Sequence, residues 1–170
     1  MGFSETFPLA HSVKCELATE VLASSGRLRL GAMGWSMLPS IWPGDTLFIE
    51  KVAGHPIAEG EIVLYGREGR FFIHRVVHRP DHSAIVVTQG DALSRPDPPV
   101  AVRDVLGKVA FIVRNGRLIQ PARNLTMASD AIAKLARHSK LATRVIAEIH
   151  AIVNRPLLSN STDRAVPCQN

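Results

Sequence analysis

The chain has 170 residues, of which 46% are apolar and 21% are charged, and its formal net charge at pH 7 is +5. This length fits one domain with an appendage, and the composition is typical of a folded protein with a real core. No run reaches the roughly 18 consecutive apolar residues that span a bilayer, and no secretory signal is evident, so we expect a cytoplasmic protein.

The positive charge is concentrated toward the C-terminus. Residues 1–120 carry 13 Lys and Arg against 12 Asp and Glu, whereas residues 121–170 carry 7 against 3. A nucleic-acid-binding domain usually joins a basic patch to a recognisable reading element. The sequence offers no such element, so we expect no nucleic-acid partner.

An N-terminal helical segment is predicted over residues 1–26. Residues 13–25 have a helical composition and place three apolar side chains on one side. Gly26 is expected to end the helix, because glycine is common just beyond a helix C-terminus.

Residues 27–121 are predicted to form a β domain, because short runs of β-branched and aromatic residues alternate with turns rich in Gly, Pro and Asp. The predicted strands are Arg27–Leu30, Thr46–Val52, Glu61–Tyr65, Phe71–His78, Ala84–Thr88 and Leu106–Val113. Asn115-Gly116 is a hairpin signal, since a type I′ turn needs positive φ at both central residues. The fold class is therefore mainly β: a folded-over antiparallel β domain or partly open barrel.

The period of the apolar residues becomes helical after this domain. Residues 122–154 are predicted to form a basic amphipathic appendage with a long C-terminal helix over about 126–154, and residues 155–170 a loose tail. The apolar stripe of the helix would pack on the domain, dock an acidic partner or lie on an anionic membrane as a peripheral contact.

A candidate nucleophile lies in the run Gly-Trp-Ser-Met-Leu-Pro, which begins at Gly34 and contains Ser36. A serine hydroxyl is a poor nucleophile until a base removes its proton, and its backbone must be held firmly to aim the oxygen at a carbonyl. Gly34 permits close approach of a substrate strand, and Pro39 fixes the chain just after the serine. The Gly-Asp pair ending at Asp45 then turns the chain into the next strand.

A candidate base, His74, lies in the apolar run Phe-Phe-Ile-His-Arg-Val. Imidazole suits proton transfer near neutral pH, because its ordinary pKa is about 6.5. A histidine satisfied within the sheet is the alternative explanation, and the serine motif upstream favours the catalytic one.

These runs, with the Gly-Asp pair at Gly90 and Asp91, resemble the signature of the signal peptidase I superfamily, which also includes the LexA-like self-cleaving proteins. The pattern fits the endoplasmic-reticulum and archaeal type, in which histidine stands in place of the general-base lysine. The resemblance covers roughly residues 27–113. It implies a serine endopeptidase that cleaves an extended peptide or precursor protein through an acyl-enzyme, although signal peptidases are normally anchored by a transmembrane helix.

The resemblance also implies an orienting carboxylate six residues after the Gly-Asp aspartate, which here is Asp97. A carboxylate that accepts from the imidazole would hold its tautomer and stabilise the imidazolium. The loop between Asp91 and Asp97 departs from the family pattern, so Asp91 as the orienting group, or a simple Ser36–His74 dyad, stays open.

Substrate contacts are expected from Gly34, Trp35, Met37 and Asp91. The oxyanion would be stabilised by the backbone N–H of Ser36. Many relatives add a hydroxyl two residues before the nucleophile, where this chain has Gly34, so the site uses backbone donors alone or its rate is modest.

No metal or other cofactor is expected. His74 and His78 would share a strand face, but the turn before His82 breaks the geometry, and no partner falls at a recognised metal-ligand spacing.

Three other functions are weighed against the peptidase. The first is a catalytically inactive peptide-binding module on the same fold. The second is a LexA-like self-cleaving regulator, although the roughly 30 residues before the motif are short for a DNA-binding domain. The third is a peripheral membrane protein bound through residues 126–154.

Overall fold

Eight strands and two helices make up the part of the chain that the structure describes. A computed structural model describes residues 6–52, 56–81 and 83–138. The strands are β1 (Arg27–Gly31), β2 (Thr46–Lys51), β3 (Ile62–Arg67), β4 (Arg70–His78), β5 (Ile85–Gln89), β6 (Val100–Ala101), β7 (Val105–Arg114) and β8 (Arg117–Ile119). The helices are α1 (Thr6–Ser25) and α2 (Met127–His138), and a single 3-10 turn spans Val102–Asp104.

The strands form an antiparallel sheet in the order β1-β2-β7-β3-β4-β5-β6, with β8 paired to the end of β7. Strands β1 and β6 lie at the two ends of this order, so the described sheet is open rather than closed into a barrel. The prediction of a mainly β, antiparallel protein is confirmed.

Two tight hairpins connect neighbouring strands. Asn115 and Gly116 have φ of 51° and 75°, which confirms the predicted turn between β7 and β8. Glu68 and Gly69, with φ of 52° and 67°, make a second two-residue turn between β3 and β4. The sequence did not predict this turn, because glutamate seldom occupies the left-handed region.

The predicted helices differ from the observed ones. Helix α1 begins at Thr6, seven residues before the predicted start, and its last residue is Ser25 as predicted. Helix α2 is described over Met127–His138, so the long helix predicted over 126–154 is supported only for that part, and residues 139–170 lie outside the described residues. Neither described helix combines the length and the apolar character that a bilayer span requires.

The core lies on both faces of the sheet, and β3 is buried on each side. Ile62 and Leu64 point into a cluster that Leu22 of α1 covers. Val63 and Tyr65 point into a second cluster on the opposite face, as the alternation of side chains along a strand requires. Tyr65 also borders His74 and Asp97, so the second cluster extends to these two residues.

A glycine in β7 lies where neighbouring strands pack closely. A Cβ at Gly107 would lie 2.7 Å from the backbone oxygen of Glu50 and 2.7 Å from Ile49, whereas a Cβ at Gly66 in β3 would meet nothing within 4 Å. We expect Gly107→Ala to lower the free energy of unfolding by about 1–3 kcal/mol, because overpacking forces the backbone to shift. Urea denaturation measures the change.

Gly66→Ala is the matched control, since it also places an alanine in a strand, and it should leave the free energy of unfolding nearly unchanged. Equal effects of the two substitutions would show that β7 is not packed against β2 as described.

Candidate active site

Ser36, His74 and Asp97 form a continuous hydrogen-bonded chain. Ser36 Oγ lies 3.1 Å from His74 Nε2, and His74 Nδ1 lies 2.7 Å from Asp97 Oδ2. Since an ionised carboxylate only accepts, Nδ1 carries the ring proton and Nε2 is left to accept the serine proton. The side chains predicted as nucleophile, base and orienting carboxylate are therefore brought together, in the order that a Ser-His-Asp triad requires.

Three separate segments supply this chain. Ser36 lies in the loop between β1 and β2, His74 lies in the middle of β4, and Asp97 follows β5 in a proline-rich loop. His74 is only 4% exposed, so its ring is held within the sheet rather than on a mobile surface loop.

Two hydroxyl groups missed by the sequence analysis hold Asp97. Thr88 Oγ1 donates to Asp97 Oδ2 at 2.7 Å, and Tyr65 OH donates to the same oxygen at 3.1 Å. The backbone N–H of Asp97 also donates to the carbonyl of Thr88 at 2.8 Å. Only the alternation of β3 and β5 could have placed Tyr65 and Thr88 on the same face as His74, and no motif marks them.

An aromatic stack borders His74. The Tyr65 and Phe72 rings stack with centroids 5.5 Å apart, and the Phe72 ring meets His74 edge-on at 6.0 Å. Arg67 lies over the Tyr65 ring and donates to the carbonyls of Pro98 and Pro99. The aromatic rings therefore restrict the movement of the imidazole on one side. Arg67 connects the loop that contains Asp97 to β3.

Asp91 forms a buried ion pair rather than a bond to His74. Both of its oxygens accept from Arg75, each at 2.8 Å, and Ser40 Oγ donates to Oδ2. Asp91 is 4% exposed and Arg75 7% exposed. Because Ser40 lies in the same β1–β2 loop as Ser36, this pair holds that loop against the segment that begins at Gly90.

A second ion pair, between the buried Asp45 and the partly exposed Arg114, holds the end of the β1–β2 loop that leads into β2. Arg114 of β7 donates to both oxygens of Asp45, at 2.9 and 2.7 Å, and to the carbonyl of Ser40 at 3.0 Å. Asp45 also accepts the backbone N–H of Trp42 at 2.8 Å. The aspartate of the predicted Gly-Asp turn is thus an anchor of the loop.

Gly90 lets the Gly-Asp segment approach the nucleophile directly. A Cβ at Gly90 would lie 2.6 Å from the backbone oxygen of Ser36, too close for any other residue without a shift. The same oxygen accepts the backbone N–H of Ala92 at 2.8 Å. The main chain of Ser36 is therefore fixed by the loop that leads to Asp97.

The residues predicted to contact substrate fall into two groups. Gly34 is exposed, with open space around its Cα, and Trp35 is 43% exposed. Met37 is 3% exposed and packs in the core with Leu47, which leaves little of its side chain for a substrate. Asp91 is buried in its pair with Arg75, so its contribution to binding would be indirect.

No group of three His, Cys, Asp or Glu side chains in the described ranges could hold a metal ion. His78 instead lies 3.3 Å from Glu59 on the surface, and His82 lies outside the described residues.

Comparison with known proteins gave no assignment. No protein-family model matches the chain, and no curated protein matches it at a significant level.

The Arg75–Asp91 pair should make a large contribution to stability. Asp91→Asn is expected to lower the free energy of unfolding by about 3–5 kcal/mol, because it leaves the buried guanidinium without a compensating charge. The control is Asp104→Asn, which removes a pair with Arg103 of 3.8 Å whose two side chains are largely exposed.

An exposed pair contributes about 0–1 kcal/mol, so the control should unfold almost as the wild type does. Denaturant melts of the two variants make the comparison. A loss at Asp91 no greater than at Asp104 would contradict the structural role of the buried pair.

Proposed function

We propose that this protein is a serine endopeptidase with a Ser36–His74–Asp97 triad, of the kind that the signal peptidase I superfamily exemplifies. The observation that carries the proposal is the unbroken hydrogen-bonded chain from Ser36 Oγ through the imidazole to Asp97. Three side chains of these types in this order have one well-understood chemical use, which is acyl transfer.

In the proposed reaction, His74 Nε2 takes the proton of Ser36 as Oγ attacks the scissile carbonyl. Asp97 stabilises the imidazolium that forms and keeps the ring in place. His74 then gives the proton to the leaving amine, and the C–N bond breaks to leave an ester on Ser36. A water molecule, deprotonated by His74, attacks this ester. The ester C–O bond then breaks, His74 returns the proton to Ser36 Oγ, and the acid product leaves.

The negative charge on the carbonyl oxygen needs donors held in advance. The backbone N–H of Ser36 is the proposed donor. Beyond Ser36, its loop is held at Ser40 by the Arg75–Asp91 pair and at Ser40 and Asp45 by Arg114. Such anchoring reduces the reorganisation that the N–H would otherwise undergo as charge develops.

An extended peptide is the proposed substrate, because an open strand edge leads to the base. Within the described residues, β4 pairs with β3 from Arg70 onward, but its pairing with β5 begins only at Arg75. Residues 70–73 therefore lack a strand partner on the β5 side. A peptide added along that edge would lie antiparallel or parallel to β4 and reach the Ser36–His74 pair.

The activated serine is tested with a fluorophosphonate probe and intact-mass measurement. Wild type is expected to gain one adduct, and Ser36→Ala none. We expect His74→Ala to slow labelling by at least about 10³-fold and Asp97→Asn by about 10²–10⁴-fold, since a triad works as a unit.

Ser94→Ala is the control, because Ser94 is an exposed serine outside the triad in the loop that carries Asp97. This variant should label as the wild type does. A folded wild type that stays unlabelled between pH 6 and 9 would overturn the peptidase and favour the inactive peptide-binding module.

A hydroxyl introduced at position 34 should stabilise the oxyanion and so speed the labelling of Ser36. The space around Gly34 admits a side chain, and its φ requires no glycine. Gly34→Ser is expected to label faster than Gly34→Ala by roughly 3- to 30-fold, because one oxyanion donor contributes up to about 10²–10³ in other enzymes. Labelling rates of the two variants decide it, and equal rates would show that the backbone donors suffice.

A further inference from the structure

One oxygen of Asp97 receives three donors. Oδ2 lies 2.7 Å from His74 Nδ1, 2.7 Å from Thr88 Oγ1 and 3.1 Å from Tyr65 OH. Serine peptidase chemistry requires only the first of these contacts. The other two come from strands on either side of β4, so they fix the carboxylate from two directions.

Both hydroxyls are fully enclosed. Thr88 has no exposed surface, and Tyr65 is 1% exposed. The two hydroxyl oxygens lie 3.3 Å apart. Because a buried hydroxyl that loses its best partner is costly, both bonds resist breaking, and the carboxylate cannot rotate without breaking both.

Tyr65 is suited to act as a donor over the whole physiological range. Burial, with a further contribution from the nearby charge of Asp97, raises the pKa of its phenol to about 12. The phenol therefore stays protonated at neutral pH and gives its proton to the carboxylate. It cannot serve as a base there.

Arg67 extends this arrangement to the backbone around Asp97. Its guanidinium lies 5.8 Å from the centre of the Tyr65 ring and donates to the carbonyl of Pro98 at 3.1 Å and that of Pro99 at 3.2 Å. Arg67 is the charged neighbour of this cluster on β3, and it binds the main chain rather than the carboxylate.

We propose that Tyr65 and Thr88 are positioning residues of the catalytic site, which hold Asp97 so that His74 keeps its proton on Nδ1 and presents Nε2 to Ser36. The role rests on the proposed function for its meaning in catalysis. The hydrogen-bond arrangement itself does not depend on that function and is measurable separately.

The test combines two near-isosteric variants with two measurements. Tyr65→Phe and Thr88→Val each remove one hydroxyl and little volume. For each, ¹⁵N NMR of the His74 ring reports which nitrogen carries the proton, and fluorophosphonate kinetics report the reactivity of Ser36. Val63→Ala, which trims the same buried cluster without removing a hydrogen bond, is the control for lost stability.

We expect both hydroxyl deletions to move the His74 ring away from a single Nδ1–H tautomer. The maximal labelling rate should fall roughly tenfold, against the loss of about 10⁴ that follows when a triad carries the wrong tautomer. The probe concentration at half-maximal rate should stay constant. Thr88→Ser keeps the hydroxyl and should restore both signals, and Val63→Ala should show the wild-type tautomer.

Wild-type NMR signals and labelling in folded Tyr65→Phe and Thr88→Val would overturn the positioning role while leaving the peptidase intact. Conversely, a tautomer change with no labelling of wild-type protein would support the positioning role and overturn the peptidase. Loss of both signals in Val63→Ala to the same degree would also overturn the proposal, because general destabilisation would then explain them. If Tyr65→Phe does not fold, Thr88→Val and Thr88→Ser alone decide it.

Discussion

The arrangement of the candidate site depends on one buried guanidinium. Arg75 binds both oxygens of Asp91 and the hydroxyl of Ser40, and it also donates to the carbonyls of Gly60 and Ala122. A planar guanidinium that is always charged can satisfy several acceptors at fixed angles. Arg75 of β4 therefore joins three segments: the β1–β2 loop that contains Ser36, the loop that begins at Gly90, and the chain after β8. Because His74 is its neighbour in β4, the position of His74 relative to these segments is fixed as well.

Asp91 and Asp97, which both lie in the loop between β5 and β6, therefore bind different partners. Asp91 neutralises Arg75 and anchors the loop, whereas Asp97 accepts from the imidazole of His74. The distinction is physical: one carboxylate faces a permanent cation, and the other faces an imidazole ring together with two hydroxyls. In the proposed reaction, a partly buried carboxylate that is not paired with a permanent cation can stabilise the imidazolium that forms, since its charge is not already compensated.

Much of this was accessible from the sequence, and the rest was not for identifiable reasons. Strand runs and the Asn115-Gly116 turn follow from local patterns. The candidate residues Ser36 and His74 came from short motifs, and Asp97 came only from the resemblance to the signal peptidase I superfamily. Tyr65, Thr88 and Ser40 could not be found, because their roles arise from strand register and loop contacts between distant segments. Strand β6 was not predicted, because two residues show no periodicity and the prolines just before them argue against a strand. The buried state of Met37 depends on how its loop folds back onto the core, which no periodicity reveals.

The account rests on Ser36 becoming covalently acylated by a peptide carbonyl. The most direct measurement is rapid-quench intact-mass analysis of the wild-type protein mixed with a set of activated peptide esters. The account predicts a transient adduct of the acyl mass, located on Ser36 by peptide mapping, that decays as the acid product appears. Binding of the same peptides with no adduct at any time point would contradict it.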